Sequence, residues 1–217
     1  MRKLGGGHRF TKIDLADAYN QIKLHPESRK RLALSTHRGV LLQNVLPFGI
    51  SSAPGCFQSI MDSLTSGLPW VAVYLDDILV SGASADEHLQ NLKRLLQRLH
   101  EKGFRCRLQK CQFAQTKLVC LGHVLSQNGI EKGSKVNDVL LMTPPHYVSS
   151  LRSFLGSVQF YGKFLPPHAS TVAKALRRLT RKGLPWRWES EEDQTFQRLK
   201  TLLSSDKVLD HFDPPFQ

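Results

Sequence analysis

Long apolar runs and cysteines are both scarce in this sequence. No run approaches the roughly 18 residues of a membrane-spanning helix, and the charged, Gly-rich start at residues 1–9 lacks the apolar core of a signal peptide. Four cysteines in 217 residues are too few for a disulfide scaffold. These absences exclude a membrane span and a disulfide-stapled domain, and they favour an intracellular protein, cytoplasmic or nuclear, with free thiols. Alternatively, Cys106, Cys111, Cys120 and His123 could bind a zinc ion, although their spacing matches no common zinc finger.

Acidic residues are outnumbered, with 18 Asp and Glu against 30 Lys and Arg, a formal net charge of +12. Such a balance favours a polyanionic partner, and nucleic acid is the first candidate. The excess is concentrated in residues 132–189, where ten basic residues stand against two acidic ones, a net of +8. A basic surface that only keeps the protein soluble is the alternative, and the one-sided charge makes it the weaker explanation.

Lys and Arg are absent from residues 51–91, a stretch that holds five acids. Two of these, Asp76 and Asp77, lie between short runs rich in β-branched and apolar residues, which predicts a β-hairpin with both carboxylates at its turn. Neighbouring carboxylates repel each other unless a cation neutralises them, so a divalent metal ion is the natural counter-charge. Asp14 ends another short apolar run and is the third candidate ligand. Two turn-forming aspartates without a metal are the alternative.

Six segments of the chain resemble, in their order and approximate spacing, the successive motifs of one enzyme family. They are residues 10–24 (FTKIDLADAYNQIKL), 46–61 (LPFGISSAPGCFQSIM), 74–80 (YLDDILV), 110–113 (KCQF), 121–126 (LGHVLS) and 151–164 (LRSFLGSVQFYGKF). The sequence resembles the reverse transcriptases of gypsy-type (Metaviridae) LTR retrotransposons, which are parts of a pol polyprotein.

This resemblance implies an α+β fold in two parts. Residues 1–130 would form a polymerase palm, an antiparallel sheet with helices packed on it, together with partial fingers. Residues 131–217 would form a mainly helical thumb and the start of a connection, leading toward a ribonuclease H domain that this sequence does not include.

Local patterns indicate where the individual elements lie. Apolar and alternating runs predict strands at residues 10–13, 21–24, 104–108 and 118–125, and hairpins within residues 32–45 and 71–80. Helical spacing predicts helices at residues 51–66, 84–102 and 190–203.

The resemblance also implies an RNA-directed DNA polymerase, a nucleotidyltransferase that uses dNTPs to extend a primer 3′-hydroxyl by a two-metal mechanism. Its cofactor would be two Mg²⁺ ions, which Mn²⁺ can replace, held by Asp14 and Asp76 with Asp77 in support. Lys110 matches a lysine proposed to protonate the leaving pyrophosphate, and a solvated surface lysine is the alternative. The implied partners are an RNA template, a DNA primer and their RNA/DNA hybrid.

Further residues match positions that contact substrate in the family. Tyr19 matches the aromatic gate that excludes a ribose 2′-hydroxyl, and an ordinary core tyrosine is the alternative. The other matches are Phe48 and Gly49 in the loop beside the nucleotide, Gln58 on the following helix, and Leu121, Gly122 and His123 in the strand that grips the primer end. For Gln58, support of its own helix is the competing role.

A catalytically silent, nucleic-acid-binding remnant of a retroelement is the second hypothesis. The chain begins just before Phe10, so we expect most of the family's fingers segment to be missing. The three aspartates favour the polymerase, whereas missing fingers favour the remnant. The sequence does not specify an oligomeric state.

Overall fold

The computed structural model describes residues 2–181 and 183–205. The chain forms two compact units, and the boundary between them in the sequence falls between Leu118 and Val119. Each unit has a hydrophobic core of its own. The units are therefore described separately below.

The first unit is organised around an antiparallel sheet. Its strands are β1 (Phe10–Asp14), β2 (Ala33–Thr36), β3 (Gly39–Leu42), β4 (Val71–Tyr74), β5 (Asp77–Val80) and β6 (Gln112–Gln115). Four of them pair in the order β4-β5-β1-β6, whereas β2 and β3 form a separate hairpin. β1, β4 and β5 are short runs of apolar and β-branched residues, which favour a buried strand. Because β1 lies between β5 and β6, it brings Asp14 next to the start of β5.

Two long helices cover this sheet. The helices of the first unit are α1 (Pro26–Arg31), α2 (Ala53–Thr65) and α3 (Ala85–Glu101). Phe57 and Met61 of α2 and Leu95 of α3 are fully buried in the core that these helices share with the sheet. α3 begins where the sequence predicts, because the Ser84 hydroxyl accepts a hydrogen bond of 3.2 Å from the backbone N–H of Glu87.

The second unit combines a small sheet with several helices. Its elements are β7 (Lys117–Cys120), β8 (His123–Ser126), β9 (Gly129–Lys132), α4 (Lys135–Leu141), α5 (Val148–Phe160), α6 (Ala169–Arg178) and α7 (Ser190–Ser204), with β7 starting just before the boundary. Aromatic rings form the centre of its core, where the ring centroids of Phe154 and Phe196 are 4.4 Å apart. α7 starts with a capping box between Glu189 and Glu192.

Three strand predictions differ from the structure. The segment 118–125 is a hairpin instead of one strand, because Leu121 and Gly122 adopt positive φ angles of 50° and 75° and reverse the chain between β7 and β8. The predicted strands at 21–24 and 104–108 are reduced to isolated bridges. α1, β6 and β9 were not predicted.

The predicted α+β class is confirmed, since helices and antiparallel sheets occur together in the structure. The predicted functional limits, 1–130 and 131–217, stay predictions, and residues 206–217 lie outside the described part of the chain. Across residues 2–181 and 183–205, none of the helices has the length and apolar character that crossing a bilayer requires.

Candidate active site

The three predicted aspartates lie at one end of the sheet in the first unit. Asp14 is the last residue of β1, Asp77 is the first residue of β5, and the two are direct partners in the antiparallel register. Direct partners of this kind project to the same face of a sheet. Asp76 precedes Asp77 in the adjoining turn, so strand pairing gathers three carboxylates from two distant parts of the sequence.

The turn that carries Asp76 has an unusual backbone. Tyr74 pairs with Asp77 in the β4–β5 hairpin, which leaves Leu75 and Asp76 as the two turn residues. Leu75 has a φ of 50°, a left-handed conformation that bulky residues rarely adopt. Gln58 on α2 supports this turn: its side-chain oxygen accepts a hydrogen bond from the Leu75 N–H at 2.7 Å, and its amide nitrogen donates to a β4 carbonyl at 3.3 Å.

An ion pair lies on the same face of the sheet as Asp14. The ammonium group of Lys12 donates to Oδ2 of Asp77 at 2.7 Å, and the two side chains are only 21% and 23% exposed. Lys12 stands two residues before Asp14 on β1, a spacing that places both side chains on one face. One of the three carboxylates is therefore neutralised by the protein itself.

Repulsion between the acids remains at Asp76. Desolvation raises the pKa of this carboxyl, and the neighbouring charges of Asp77 and Asp14 raise it further. The three carboxylates thus interact electrostatically, an arrangement that a bound cation would stabilise.

A segment after α3 holds the backbone of Asp14. The N–H of Arg107 donates to the Asp14 carbonyl oxygen at 2.9 Å, and the N–H of Asp14 donates to Sγ of Cys111 at 3.4 Å. The Arg107 guanidinium also forms an ion pair with Asp17 at 3.1 Å. These contacts fix the end of β1 and the turn that follows it.

Tyr19 is buried among aromatic rings close to the aspartates. Its ring centroid is 5.1 Å from that of Phe48 and 5.1 Å from that of Phe57. Burial raises the pKa of the Tyr19 hydroxyl, and the negative charge of Asp76 raises it further. Phe48 is 59% exposed, whereas Tyr19 is 9% exposed. The position suits a gate and a core tyrosine alike.

Gly49 and Lys110 are also in the first unit. Gly49 follows Phe48 with a φ of 87°, and the space where a Cβ would stand is open. Lys110 ends a short 3₁₀ helix and is exposed, directly before Cys111. Their predicted roles at the nucleotide and the pyrophosphate stay predictions.

The second unit carries the residues predicted to grip a primer. Leu121 and Gly122 form the turn between β7 and β8, and the Leu121 side chain is exposed. His123 is buried, its ring stacked on that of Phe160 with centroids 4.9 Å apart. Burial lowers the pKa of His123, and the charge of Lys163 lowers it further. Within this unit the Leu121 side chain is therefore exposed, whereas the His123 ring is packed against Phe160, and their predicted roles at the primer stay predictions.

A metal site formed by three side chains is not preassembled in the parts of the chain that the structure describes, since no three His, Cys, Asp or Glu residues there form a group that could hold an ion. The carboxylates nevertheless match the oxygen ligands that Mg²⁺ prefers, and the repulsion at Asp76 is what a cation relieves. Because Lys12 occupies Asp77, Asp14 and Asp76 are the principal candidates. Their assignment as ligands stays a prediction.

Three residues that contact the aspartates were given no role at this site by the sequence predictions: Lys12, Arg107 and Cys111. A signal for Lys12 was present, since alternation along β1 places it on the face of Asp14. Arg107 and Cys111 had no such signal, because their segment reaches Asp14 only in the folded chain. Gln58 was predicted at the substrate, with support of its own helix as the alternative; it bonds the turn of Asp76 and also donates to Asp62 one turn further along α2, at 2.9 Å.

Comparison with known proteins agrees with this geometry. Residues 1–125 match the family described as reverse transcriptase (RNA-dependent DNA polymerase). The chain is 33% identical over 216 residues to the Transposon Tf2-3 polyprotein of Schizosaccharomyces pombe (strain 972 / ATCC 24843), which covers 98% of this chain and 16% of the polyprotein. The chain thus spans only a small part of the length of such curated relatives.

Solved structures share the fold. The foamy viral protease-reverse transcriptase dRH in complex with ds DNA matches with a TM-score of 0.87 and 25% identity, over 95% of this chain and 37% of that one. The foamy viral protease-reverse transcriptase in complex with RNA/DNA hybrid matches with a TM-score of 0.84 and 24% identity, over 96% of this chain and 29% of that one. The chain therefore belongs to the reverse transcriptase (RNA-dependent DNA polymerase) family, in the form found in the polyproteins of gypsy-type LTR retrotransposons.

Proposed function

We propose that this chain carries the polymerase site of an RNA-directed DNA polymerase, which extends a DNA primer on an RNA template with dNTPs. The observation that carries the proposal is the register of β1 and β5, in which Asp14 pairs with Asp77 and Asp76 adjoins them. A pair of turn-forming aspartates alone would not need a third acid opposite them.

Divalent metal ions are the general cofactors of this family, and Asp14 and Asp76 would hold two Mg²⁺ ions or Mn²⁺ in their place. Bound ions would supply positive charge to the phosphates and activate the primer hydroxyl. The chain's own contribution is to position the carboxylates. Strand pairing holds Asp14, Gln58 supports the turn of Asp76, and Lys12 binds Asp77.

The nucleotide would bind on the side of Tyr19 and Phe48. The Tyr19 ring would exclude a ribose 2′-hydroxyl, since Phe48 and Phe57 hold it in place beside Asp76. Gly49 would allow a phosphate or sugar to approach the backbone closely. Lys110 would donate a proton to the leaving pyrophosphate.

The partners would be an RNA template, a DNA primer and the hybrid that they form. A foamy viral relative of this fold was solved with double-stranded DNA, and the basic composition of residues 132–189 suits a phosphate backbone. The exposed turn at Leu121 and Gly122 would contact the primer end, with His123 packed behind it. The protein would act in the cytoplasm, the nucleus or a retroelement particle.

Primer extension tests the proposed function. We expect the chain to extend a DNA primer on an RNA template with Mg²⁺, and Asp76→Asn to reduce the rate roughly 100-fold or more, the scale of losing a principal electrostatic group. Asp86→Asn, a change at an exposed acid on α3, is the matched control and should retain the rate. Equal extension by the wild type and Asp76→Asn would refute the site. Hybrid binding without extension by the wild type would instead support the silent remnant.

A further inference from the structure

The ion pair between Lys12 and Asp77 separates the three carboxylates of the candidate site into two kinds. We propose that Lys12 is a positioning residue that keeps Asp77 out of the ligand set of the metal ions and leaves Asp14 and Asp76 to bind them. This inference rests on the proposed polymerase function, which it deepens by assigning each aspartate a distinct task.

The geometry of the sheet makes this pairing specific. Lys12 lies opposite Leu79 and Asp14 lies opposite Asp77 in the β1–β5 register. The 2.7 Å contact from Lys12 to Asp77 therefore runs diagonally across the two strands, on the face that Asp14 also shares. Lys12 reaches Asp77 from the strand that carries Asp14, so one strand supplies both a metal-binding carboxylate and the cation that occupies its neighbour.

Burial makes the pairing persistent. The side chains of Lys12 and Asp77 are 21% and 23% exposed, whereas those of the surface pair Lys30 and Glu27 are 70% and 71% exposed. A partly buried ammonium that lost its carboxylate would be left without its counter-charge, so opening this pair costs more than opening the exposed pair of Lys30 and Glu27. Lys12 is thus a fixed component of the site.

The charge of the site follows from this pairing. Three carboxylates and one ammonium carry a formal charge of −2, and without Lys12 the charge would be −3. A freed Asp77 carboxylate would attract a cation more strongly and would compete with Asp76 for it. Removing a group that lies just outside the ligands of a metal site commonly lowers activity roughly 10- to 100-fold.

Replacing Lys12 with an uncharged residue of similar length tests the proposal. Titration of the metal-free, full-length chain with Mn²⁺, followed by electron paramagnetic resonance, should show about fivefold tighter binding by Lys12→Met than by wild type, because a positive charge is removed and Asp77 becomes available. Primer extension by the same variant should fall roughly tenfold, because the ion is no longer held by Asp14 and Asp76 alone. A lysine with a merely structural role would not give tighter binding together with slower extension.

Further variants separate an effect through Asp77 from a direct one. Lys12→Arg keeps the charge and should restore wild-type Mn²⁺ binding. In an Asp77→Asn background, Lys12→Met should cause no additional loss of extension rate. The control is Lys93→Met on the exposed face of α3, which changes the net charge equally and should leave Mn²⁺ binding unchanged. Thermal unfolding verifies that each variant is folded.

Unchanged or weaker Mn²⁺ binding by a folded Lys12→Met variant overturns the proposal, while loss of binding in Asp76→Asn would show that the metal site itself stands. Additive losses of extension rate for Lys12→Met and Asp77→Asn also overturn it, because Lys12 would then not act through Asp77. Equal Mn²⁺ binding by the wild type and Asp76→Asn would refute the proposed function as well, since the metal would not be bound at these aspartates.

Discussion

At the scale of single residues, the candidate site balances charges that oppose one another. Asp76 stands at the tip of a hairpin, and its raised pKa reflects desolvation and two neighbouring carboxylates. Lys12 relieves this repulsion at Asp77 and not at Asp76. Of the three carboxylates, Asp76 is therefore the one whose neutralisation should increase the stability of the metal-free protein most.

We expect Asp76→Asn to raise the melting temperature of the metal-free chain at pH 7. A folded-state pKa above the unfolded-state value means that ionisation of Asp76 opposes folding, and this penalty disappears as the pH falls through the folded-state pKa. The stability gain of the variant should therefore shrink as the pH is lowered to about 4, near the pKa of an unperturbed aspartate. Because Asp76 is exposed, solvent screening keeps the gain modest.

Thermal unfolding in EDTA measures this gain as a function of pH. Asp86→Asn is the control, because Asp86 lies in the first turn of α3, where the helix N-terminus favours a negative charge. It should not be stabilised. A lower melting temperature for Asp76→Asn than for wild type at pH 7 would contradict the repulsion between the acids.

Tyr19→Ala should reduce discrimination against ribonucleotides, because removing the ring opens space beside the sugar. The ring is buried, so the variant should also lose about 3 kcal/mol of stability. Relative extension rates with ribonucleotides and deoxynucleotides measure the discrimination. Tyr19→Phe keeps the ring and should discriminate like wild type. Wild-type discrimination by a folded Tyr19→Ala variant would show that Tyr19 is only a core residue.

At the scale of secondary-structure elements, the β4–β5 hairpin depends on α2. The two turn residues are Asp76 and Leu75, which has a positive φ. The Gln58 side chain donates to the carbonyl oxygen of Val73, before the turn, and accepts from the N–H of Leu75, within it. A helix whose buried face belongs to the core thereby supports the turn that carries Asp76, a candidate metal ligand.

Gln58→Leu should lower the free energy of unfolding by about 2 kcal/mol, because it removes both hydrogen bonds to the hairpin and each typically contributes about 1 kcal/mol. It should also slow primer extension, because Asp76 loses the support of its turn. Urea unfolding measures the first effect. Gln97→Leu is the control, since Gln97 bonds only the exposed Glu101 on the same helix among the contacts described. Wild-type stability and extension in Gln58→Leu would show that the turn holds its conformation without α2.

At the scale of the whole molecule, charge is distributed unevenly along the chain. Residues 51–91 contain no Lys or Arg, whereas residues 132–189 carry a formal net charge of +8. In the second unit Lys174, Arg177 and Arg178 are exposed on α6. Arg152 differs from them, since its guanidinium donates to the Thr180 carbonyl oxygen at 2.8 Å. This hydrogen bond connects α5 to the segment that follows α6.

Changing four basic residues of this region to Gln should weaken duplex binding and reduce its dependence on salt. The residues are Arg177, Arg178, Arg181 and Lys182, of which Lys182 lies outside the described residues. For B-DNA the log-log slope of affinity against salt is about −0.9 for each phosphate neutralised. Because phosphate contacts carry no base information, all sequences should be affected alike.

Filter binding of an RNA/DNA duplex at several salt concentrations measures this slope. Changing Lys93 and Arg94 to Gln on the exposed face of α3 provides a control in the first unit. If the affinity for the duplex depends neither on salt nor on the quadruple change, these basic residues form only a solvent-exposed surface and do not bind phosphates.

Much of the local structure could be predicted from the sequence, because helix caps, hairpins and apolar periodicity are decided by near neighbours. Ser84 marked the start of α3, and the β-branched runs around Asp76 and Asp77 marked the hairpin. Periodicity is a less reliable guide within α3, where Leu89 and Leu96 share helical spacing with the buried Leu92 and Leu99 and yet are exposed. The motif order in the sequence was sufficient to indicate the family.

By itself, then, the sequence determined the family, the α+β class and most elements, since these follow from residue types and short-range spacing. Only the tertiary structure decided that Asp14 pairs with Asp77, that Lys12 neutralises Asp77 and that His123 is buried. The physical reason is register: a shift of one residue would turn every side chain of a strand to the other face. That register is selected by packing between segments far apart in the chain, which no local pattern contains.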